Sequence, residues 1–309
     1  WVLFLAVFDI ARDGYSASLI FYDAMLSDVT EPERMDQVSS QGYAWGYLGS
    51  CIPFVASLGL VLGSGALGIS MEQAMGGAFV LNAAWWLLVT LPLLKRYRQV
   101  HGSERREYPV RESFLRLGKV LGDIRQNRKV MWFLLAFFFY IDGVYTIIDM
   151  ATSYGSAIGL SSEGLLLALL MTQIVAFPFA LLFGKAAKKY RNTSLIRLCI
   201  ACYFAIALFA VQLDKQWEFW FLAACVGMFQ GGIQALSRSY FASIIPPEKS
   251  GEFFGIFDIC GKGASFMGTA LVGLMTQLTR NPSSGVGALA VLFAAGFILF
   301  GKAVKEERA

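Results

Sequence analysis

Gly164-Leu165-Leu166-Leu167-Ala168-Leu169-Leu170-Met171-Thr172-Gln173-Ile174-Val175-Ala176-Phe177-Pro178-Phe179-Ala180-Leu181-Leu182-Phe183-Gly184 carries no charged side chain, and Lys185-Ala186-Ala187-Lys188-Lys189-Tyr190-Arg191 follows at once. A helix needs about 20 apolar residues to cross the hydrocarbon core of a bilayer. In lipid each backbone polar group must be satisfied inside its own segment, so the run reads as a membrane-spanning helix ending on a basic loop. Working outward, the same pattern recurs near 1–26, 42–68, 75–94, 130–150, 194–213, 217–244, 253–279 and 285–302. With 164–184 that makes nine spans. A soluble bundle would instead alternate apolar and polar faces. The expectation is an all-α, multi-pass membrane protein.

The charges set the topology. Of 26 basic residues, 11 fall in the gap 95–129 and five in 185–197 (Lys185, Lys188, Lys189, Arg191, Arg197). Lys302, Lys305 and Arg308 lie in the tail, whereas the alternate gaps hold only Lys215 and Arg280. Cytoplasmic loops carry the excess of Lys and Arg. Segments 28–41, 95–129, 185–193, 245–252 and the C-terminal tail are therefore expected in the cytoplasm. The net charge of +4 is a topology signal and gives no reason to invoke nucleic acid.

The remaining composition narrows the chemistry. The cysteines Cys51, Cys199, Cys202, Cys225 and Cys260 all lie in apolar spans. Cys199 and Cys202 make a C-x-x-C with no second pair and no nearby histidine, so they read as small packing residues rather than metal ligands. The one histidine is His101, in the long basic gap. Proton coupling inside the membrane would thus fall to carboxylates. No Gly-x-x-x-x-Gly-Lys-Ser/Thr phosphate loop occurs, and no nucleophile constellation is visible, so neither ATP drive nor catalysis is expected. No cofactor is implied.

Two segments about 215 residues apart resemble each other. Ser27-Asp28-Val29-Thr30-Glu31-Pro32-Glu33-Arg34 matches Ala242-Ser243-Ile244-Ile245-Pro246-Pro247-Glu248-Lys249. Each ends one span and begins the next, six helices apart, and the following spans are rich in glycine. Small residues let membrane helices approach closely, which suits a seam between halves. Parallel six-helix repeats build one large class of secondary transporters. Six spans follow the basic gap but only three precede it, so by symmetry three helices are expected ahead of residue 1. The expected domains are 1–94, the last three helices of an N-terminal half; 95–129, a cytoplasmic linker; and 130–309, a six-helix C-terminal half with a short tail. Within the linker, Phe114, Leu117, Leu121 and Ile124 share a helical face, with Arg111, Arg116, Lys119 and Arg125 elsewhere. Such a basic amphipathic helix suits an anionic inner leaflet. It reads either as a lever between the halves or as a solvated linker.

The motifs Phe21-Tyr22-Asp23-Ala24-Met25-Leu26, Gly42-Tyr43-Ala44-Trp45-Gly46-Tyr47-Leu48-Gly49 and Gly231-Gly232-Ile233-Gln234-Ala235-Leu236-Ser237-Arg238-Ser239 point further. With Ile245-Pro246-Pro247, Glu252-Phe253-Phe254-Gly255 and Phe139-Tyr140-Ile141-Asp142-Gly143-Val144, they resemble one family of the major facilitator superfamily. That family includes the fungal vacuolar amino-acid effluxers linked to autophagy and bacterial permeases. The resemblance implies a bundle of two pseudo-symmetric halves, nine of an expected twelve helices being present. It also implies solute transport, with amino-acid efflux as the guide to cargo. The loop Gly184–Arg191 keeps the superfamily's glycine and basic run but lacks its acidic residue, which puts a charge latch there in doubt.

Charges at the bilayer centre cost about 2.5–3.5 kcal/mol on insertion scales and mark functional positions. Asp9, Arg12 and Asp13 share one helical face. They form either a structural ion pair or a site with a spare carboxylate for a cation, a proton or a substrate amine. Asp142 sits near the midplane with no basic neighbour at helical spacing, beside Gly143, which would loosen the helix. It reads as a proton-coupling or substrate group, the alternative being a cross-helix partner such as Arg12 or Lys262. Asp149 is a further buried-charge candidate. Asp258 and Lys262 are spaced for a local ion pair, or Lys262 meets an anionic group of the substrate. Arg238 could snorkel, or pair with Asp23 or Asp28 as a cytoplasmic gate. Gln234 is a pore-lining candidate.

The reading is a secondary active transporter that moves a small polar solute by alternating access, linked to a proton or another ion. Substrate or proton binding falls to Asp9, Arg12, Asp13, Asp142, Gln234 and Lys262, and gating to Asp23, Arg238 and Asp258. The partners are the solute, the coupling ion and the bilayer: a bacterial inner membrane, or a vacuolar one in a eukaryote. The rival readings are a non-transporting receptor or assembly partner and an integral-membrane lipid enzyme. The enzyme would need catalytic groups gathered near one interface.

Overall fold

Two prolines show how the chain enters its long helices. Pro32 and Pro247 each sit at the start of a single 3-10 turn, Pro32–Arg34 and Pro247–Lys249, which leads directly into a long helix. Proline presets the helical φ and lacks an N–H that would be orphaned there anyway. The two turns are 215 residues apart, so the repeat seen in the sequence is also a repeat of backbone geometry.

The computed structural model describes residues 2–101 and 110–306. Its helices are α1 (Val2–Ala24), α2 (Leu26–Val29), α3 (Met35–Leu62), α4 (Met71–Arg96), α5 (Val110–Gln126), α6 (Arg128–Ala157), α7 (Ser162–Ala186), α8 (Asn192–Ala210), α9 (Gln216–Ile244), α10 (Ser250–Thr279) and α11 (Pro282–Glu306). Among the described residues, nine are long and none of the elements is a strand. Seven are long and apolar enough to cross a membrane. The other two, α1 and α10, are of spanning length but carry Asp9, Arg12, Asp13 and Asp23, and Glu252, Asp258 and Lys262. Apolarity alone thus supports seven of the nine expected spans.

Boundaries differ from the apolar windows for a physical reason. The helix expected from 42 begins at Met35, because its proline-led first turns are polar and an apolar window passes over them. It stops at Leu62, where Gly63 to Gly68 form turns and Gly68 takes φ +66°, a conformation open to glycine. Ser70 then caps α4 through a reciprocal bond with Gln73.

The helices after α5 enclose the core. The pairs α6–α11, α7–α9, α6–α10 and α8–α9 pack along their lengths, and α3 lies against α7 and α9. Phe133, Phe137, Phe241 and Phe257 stack near one end of that core, with Phe300 edge-on to Phe133. By contrast α1 has no buried residue and α4 only Ala74. Gly143 does not loosen α6, which runs unbroken past it. Instead it admits the Phe293 ring of α11, which lies 2.5 Å from where a Cβ would stand.

The linker carries the amphipathic helix expected there. Val120 and Ile124 of α5 are buried and α5 packs on α6 and α10, while Leu121 is 46% exposed. Lys249 pairs with Asp123 at 2.7 Å and Arg116 with Glu252 at 3.6 Å, fixing α5 to the start of α10. Protein thus covers Val120 and Ile124, while Leu115 and Leu121 of α5 stay exposed. Arg105, Arg106 and Arg308 lie outside the described residues, as do the side chains of Arg111 and Phe114. Most glycines of α3 and α10, including Gly46, Gly49, Gly59, Gly255 and Gly263, face open space instead of a seam.

Candidate functional site

The site is built along α9, which carries three layers of polar groups on its way to the end bearing the basic loops. Its last turns bring Arg238 into the contact between the helices before and after α5. The residue is 3% exposed. Nη1 donates to Asp23 Oδ1 of α1 at 3.0 Å, Nε to Ser39 Oγ of α3 at 2.9 Å, and Nη2 to the Ser39 carbonyl at 3.1 Å. The guanidinium also lies over the rings of Tyr43 and Tyr22, at 4.7 and 5.3 Å. Burying such a cation is tolerable only because a carboxylate and hydrogen bonds replace water. Gly42 makes room, since a Cβ there would stand 3.0 Å from the Tyr22 hydroxyl and 3.3 Å from Arg238 Nη2. Asp23 and Arg238 are 215 residues apart, so the pair joins equivalent positions of the repeat.

One turn away from the basic end, Tyr47 of α3 donates to Gln234 Oε1 at 3.1 Å. Beyond it lies a cavity of about 230 Å³, lined among others by Ser50, Phe54, Thr146, Gln173, Phe219 and Gln230. No charged side chain lines it among the described residues.

Asp142 adjoins this cavity through Thr146. Its carboxylate is wholly buried. Oδ1 accepts from the Gly268 amide of α10 at 2.9 Å and from Thr146 Oγ1 at 3.3 Å. Oδ2 has no hydrogen-bond partner among the described residues. Neither Arg12 nor Lys262 reaches it. A Cβ on Gly268 would overlap both Thr146 and Asp142, so only glycine lets the α10 backbone serve as donor here.

Asp9, Arg12 and Asp13 are exposed on α1, with no ion pair closing between them, and Asp149 of α6 is exposed as well. Asp258 and Lys262 pair at 2.6 Å, and Lys262 also donates to the Ser16 carbonyl of α1 at 3.2 Å, away from the cavity. Asp28 does not meet Arg238. It accepts from the Tyr97 hydroxyl, from the His101 amide at 2.8 Å, and lies 3.1 Å from His101 Nδ1. Sequence reasoning missed Ser39, Tyr43, Tyr47 and Thr146. A Ser-Ser pair or a tyrosine in an apolar helix carries no charge to flag it.

Residues 22–309 match the family described as "Vacuole effluxer Atg22 like". The "Uncharacterized MFS-type transporter YxiO" of Bacillus subtilis is 42% identical over 97% of this chain and 70% of its own length. "Autophagy-related protein 22" of Saccharomyces cerevisiae is 29% identical over 81% of this chain. The chain spans about half the length of such fungal relatives, 54% in that case. Among solved structures, the major facilitator transporter FucP, in its outward conformation, superposes with a TM-score of 0.63 at 16% identity. The match covers 91% of this chain and 71% of FucP, which establishes the shared fold.

Proposed function

This chain belongs to the Atg22-like vacuole effluxer family of membrane transporters, and on that premise we propose that it works as a secondary transporter in which two helical halves alternate access to a central site. The halves are α1–α4 and α6–α11, joined by the linker. The observation that carries the reading is the buried Asp23–Arg238 pair, which joins repeat-equivalent positions at one end while a cavity lies deeper along α9. The positive-inside pattern puts that end in the cytoplasm. The arrangement is then a state closed toward the cytoplasm, and Asp23 and Arg238 are its gate.

Asp142 is the coupling group. A carboxylate buried at mid-helix with one oxygen unpaired is the place for a proton to bind. Thr146, which touches both Asp142 and the cavity, links proton and solute. Gln234 lines the path toward the gate. Lys262 and Asp258 brace α10 against α1. The family description favours efflux, and amino acids are the first cargo to test.

The test is counterflow of labelled amino acids into proteoliposomes carrying the full-length protein and unlabelled solute inside. Accumulation of one solute class above equilibrium is expected. Equilibration without overshoot, or no uptake of any amino acid by folded protein, would refute the amino-acid transporter.

A further inference from the structure

Two buried amide oxygens in the wall of the cavity along α9 lack a donor. Gln230 of α9 is 6% exposed, and its Oε1 has no hydrogen-bond partner among the described residues. Gln173 Oε1 of α7 is buried without a partner as well, and both residues line the cavity. A buried acceptor left unpaired is costly, so each of these groups calls for a donor. The hydroxyls of the wall do not supply it, because their protons are committed elsewhere. Ser50 donates to the Tyr47 carbonyl at 2.8 Å and Thr172 to the Ala168 carbonyl at 2.9 Å. Tyr154 donates to the Ala210 carbonyl at 2.7 Å and Thr146 to Asp142 Oδ1 at 3.3 Å. What each hydroxyl has left is acceptor capacity. Much of the rest of the wall is hydrocarbon, including Phe54, Phe219, Val226 and Leu289.

We propose that the cavity takes an apolar amine: a compact hydrocarbon body whose N–H groups donate to Gln230 and Gln173, and which carries no carboxylate. The inference rests on the reading of this cavity as the central site, and it narrows the cargo of that site. An apolar cavity of about 150 Å³ already binds benzene, so one of about 230 Å³ holds a ring with a short chain. An ammonium group has three donors and no acceptor, which matches a wall of acceptors. Its charge is costly to bury alone. Asp142 balances it, since Thr146 joins that carboxylate to the cavity wall. A carboxylate meets the reverse situation: acceptors around it, and no cation among the described residues of the wall. An amino acid therefore loses at its carboxylate what it gains at its amine.

The test is equilibrium dialysis of the full-length protein in detergent against labelled phenethylamine, phenylalanine and 3-phenylpropionate, which share a phenyl ring and a short chain. Phenethylamine should bind about tenfold or more tightly than phenylalanine, and 3-phenylpropionate should not bind. Gln230→Leu and Gln173→Leu keep the bulk and remove the acceptor. Each should weaken phenethylamine binding by about tenfold, the weight of one hydrogen bond to a charged group. Thermal midpoints verify folding, and Gln173→Leu carries the test where Gln230→Leu does not fold. Phenylalanine or 3-phenylpropionate binding as tightly as phenethylamine would overturn the inference. So would no binding of phenethylamine to folded protein, or unchanged binding in the folded variants. Phenethylamine bound but not moved in counterflow would uphold the amine site and count against transport. Amino-acid counterflow without amine binding would do the opposite.

Discussion

Arg238 gives the gate a residue-level account. It reaches two other helices through three hydrogen bonds while almost wholly buried. Removing one partner of a buried ion pair leaves the other uncompensated, at a cost of about 3–5 kcal/mol. Arg238→Gln should therefore destabilise the protein by that order, as read from thermal unfolding in detergent. Because the pair joins equivalent repeat positions, the exchange Asp23→Arg with Arg238→Asp should recover most of the loss, whereas Asp23→Arg alone should not. A double variant no more stable than the singles would contradict the pairing. Both partners were legible in the sequence, as charges inside apolar runs. Their companions were not. Ser39 acts partly through its backbone carbonyl, which no sequence pattern marks, and the choice of Asp23 over Asp28 needed the fold. Asp28 lies in α2, just beyond α1, where Tyr97 and His101 return to meet it.

At the scale of elements, the linker is attached at both ends. Its start is held by Asp28, and α5 is fixed to the start of α10 by Asp123 and Lys249. Partial burial pushes the Asp28 carboxyl up, but hydrogen bonds from Tyr97, the His101 amide and ring, and the Val100 amide outweigh it and hold it below the usual carboxylate range. The Tyr97 phenol is pushed up to about 12, first by burial and then by the Asp28 acceptor and its charge. Asp28 with its depressed value adds stability above its unfolded value of 3.8, lost as pH falls through the folded one. Tyr97 with its raised value adds stability below 10.0, lost as pH rises through about 12. The attachment is thus complete between these limits. A phenolate absorbance titration, taken as the difference from Tyr97→Phe, should show a late midpoint near 12 that moves toward 10 in Asp28→Asn. A midpoint already at 10 in the parent would contradict the attachment. The amphipathic pattern of α5 was legible, but its partner was not. An apolar stripe fits lipid and protein equally well, and nothing in it marks Val120 and Ile124 as the residues that protein covers.

The whole molecule was the most legible scale. The period of apolar runs, the alternation of basic gaps and the 215-residue repeat led to a facilitator-type bundle, and the matching proline-led turns carry that repeat into three dimensions. What the sequence did not reveal is which polar groups meet across the bundle. Asp142 illustrates the difference: its isolation along α6 is a matter of spacing, while its bond to the Gly268 amide depends on how closely α10 packs. The central claim is that this carboxylate carries the coupling proton. It is tested by solute accumulation in proteoliposomes driven by an imposed pH gradient, with counterflow at equal pH measured alongside, for the parent and for Asp142→Asn. Asparagine keeps an acceptor for Gly268 and Thr146 but cannot ionise. The account predicts that Asp142→Asn retains counterflow and loses accumulation driven by the gradient. Gradient-driven accumulation of the same size in Asp142→Asn would contradict it.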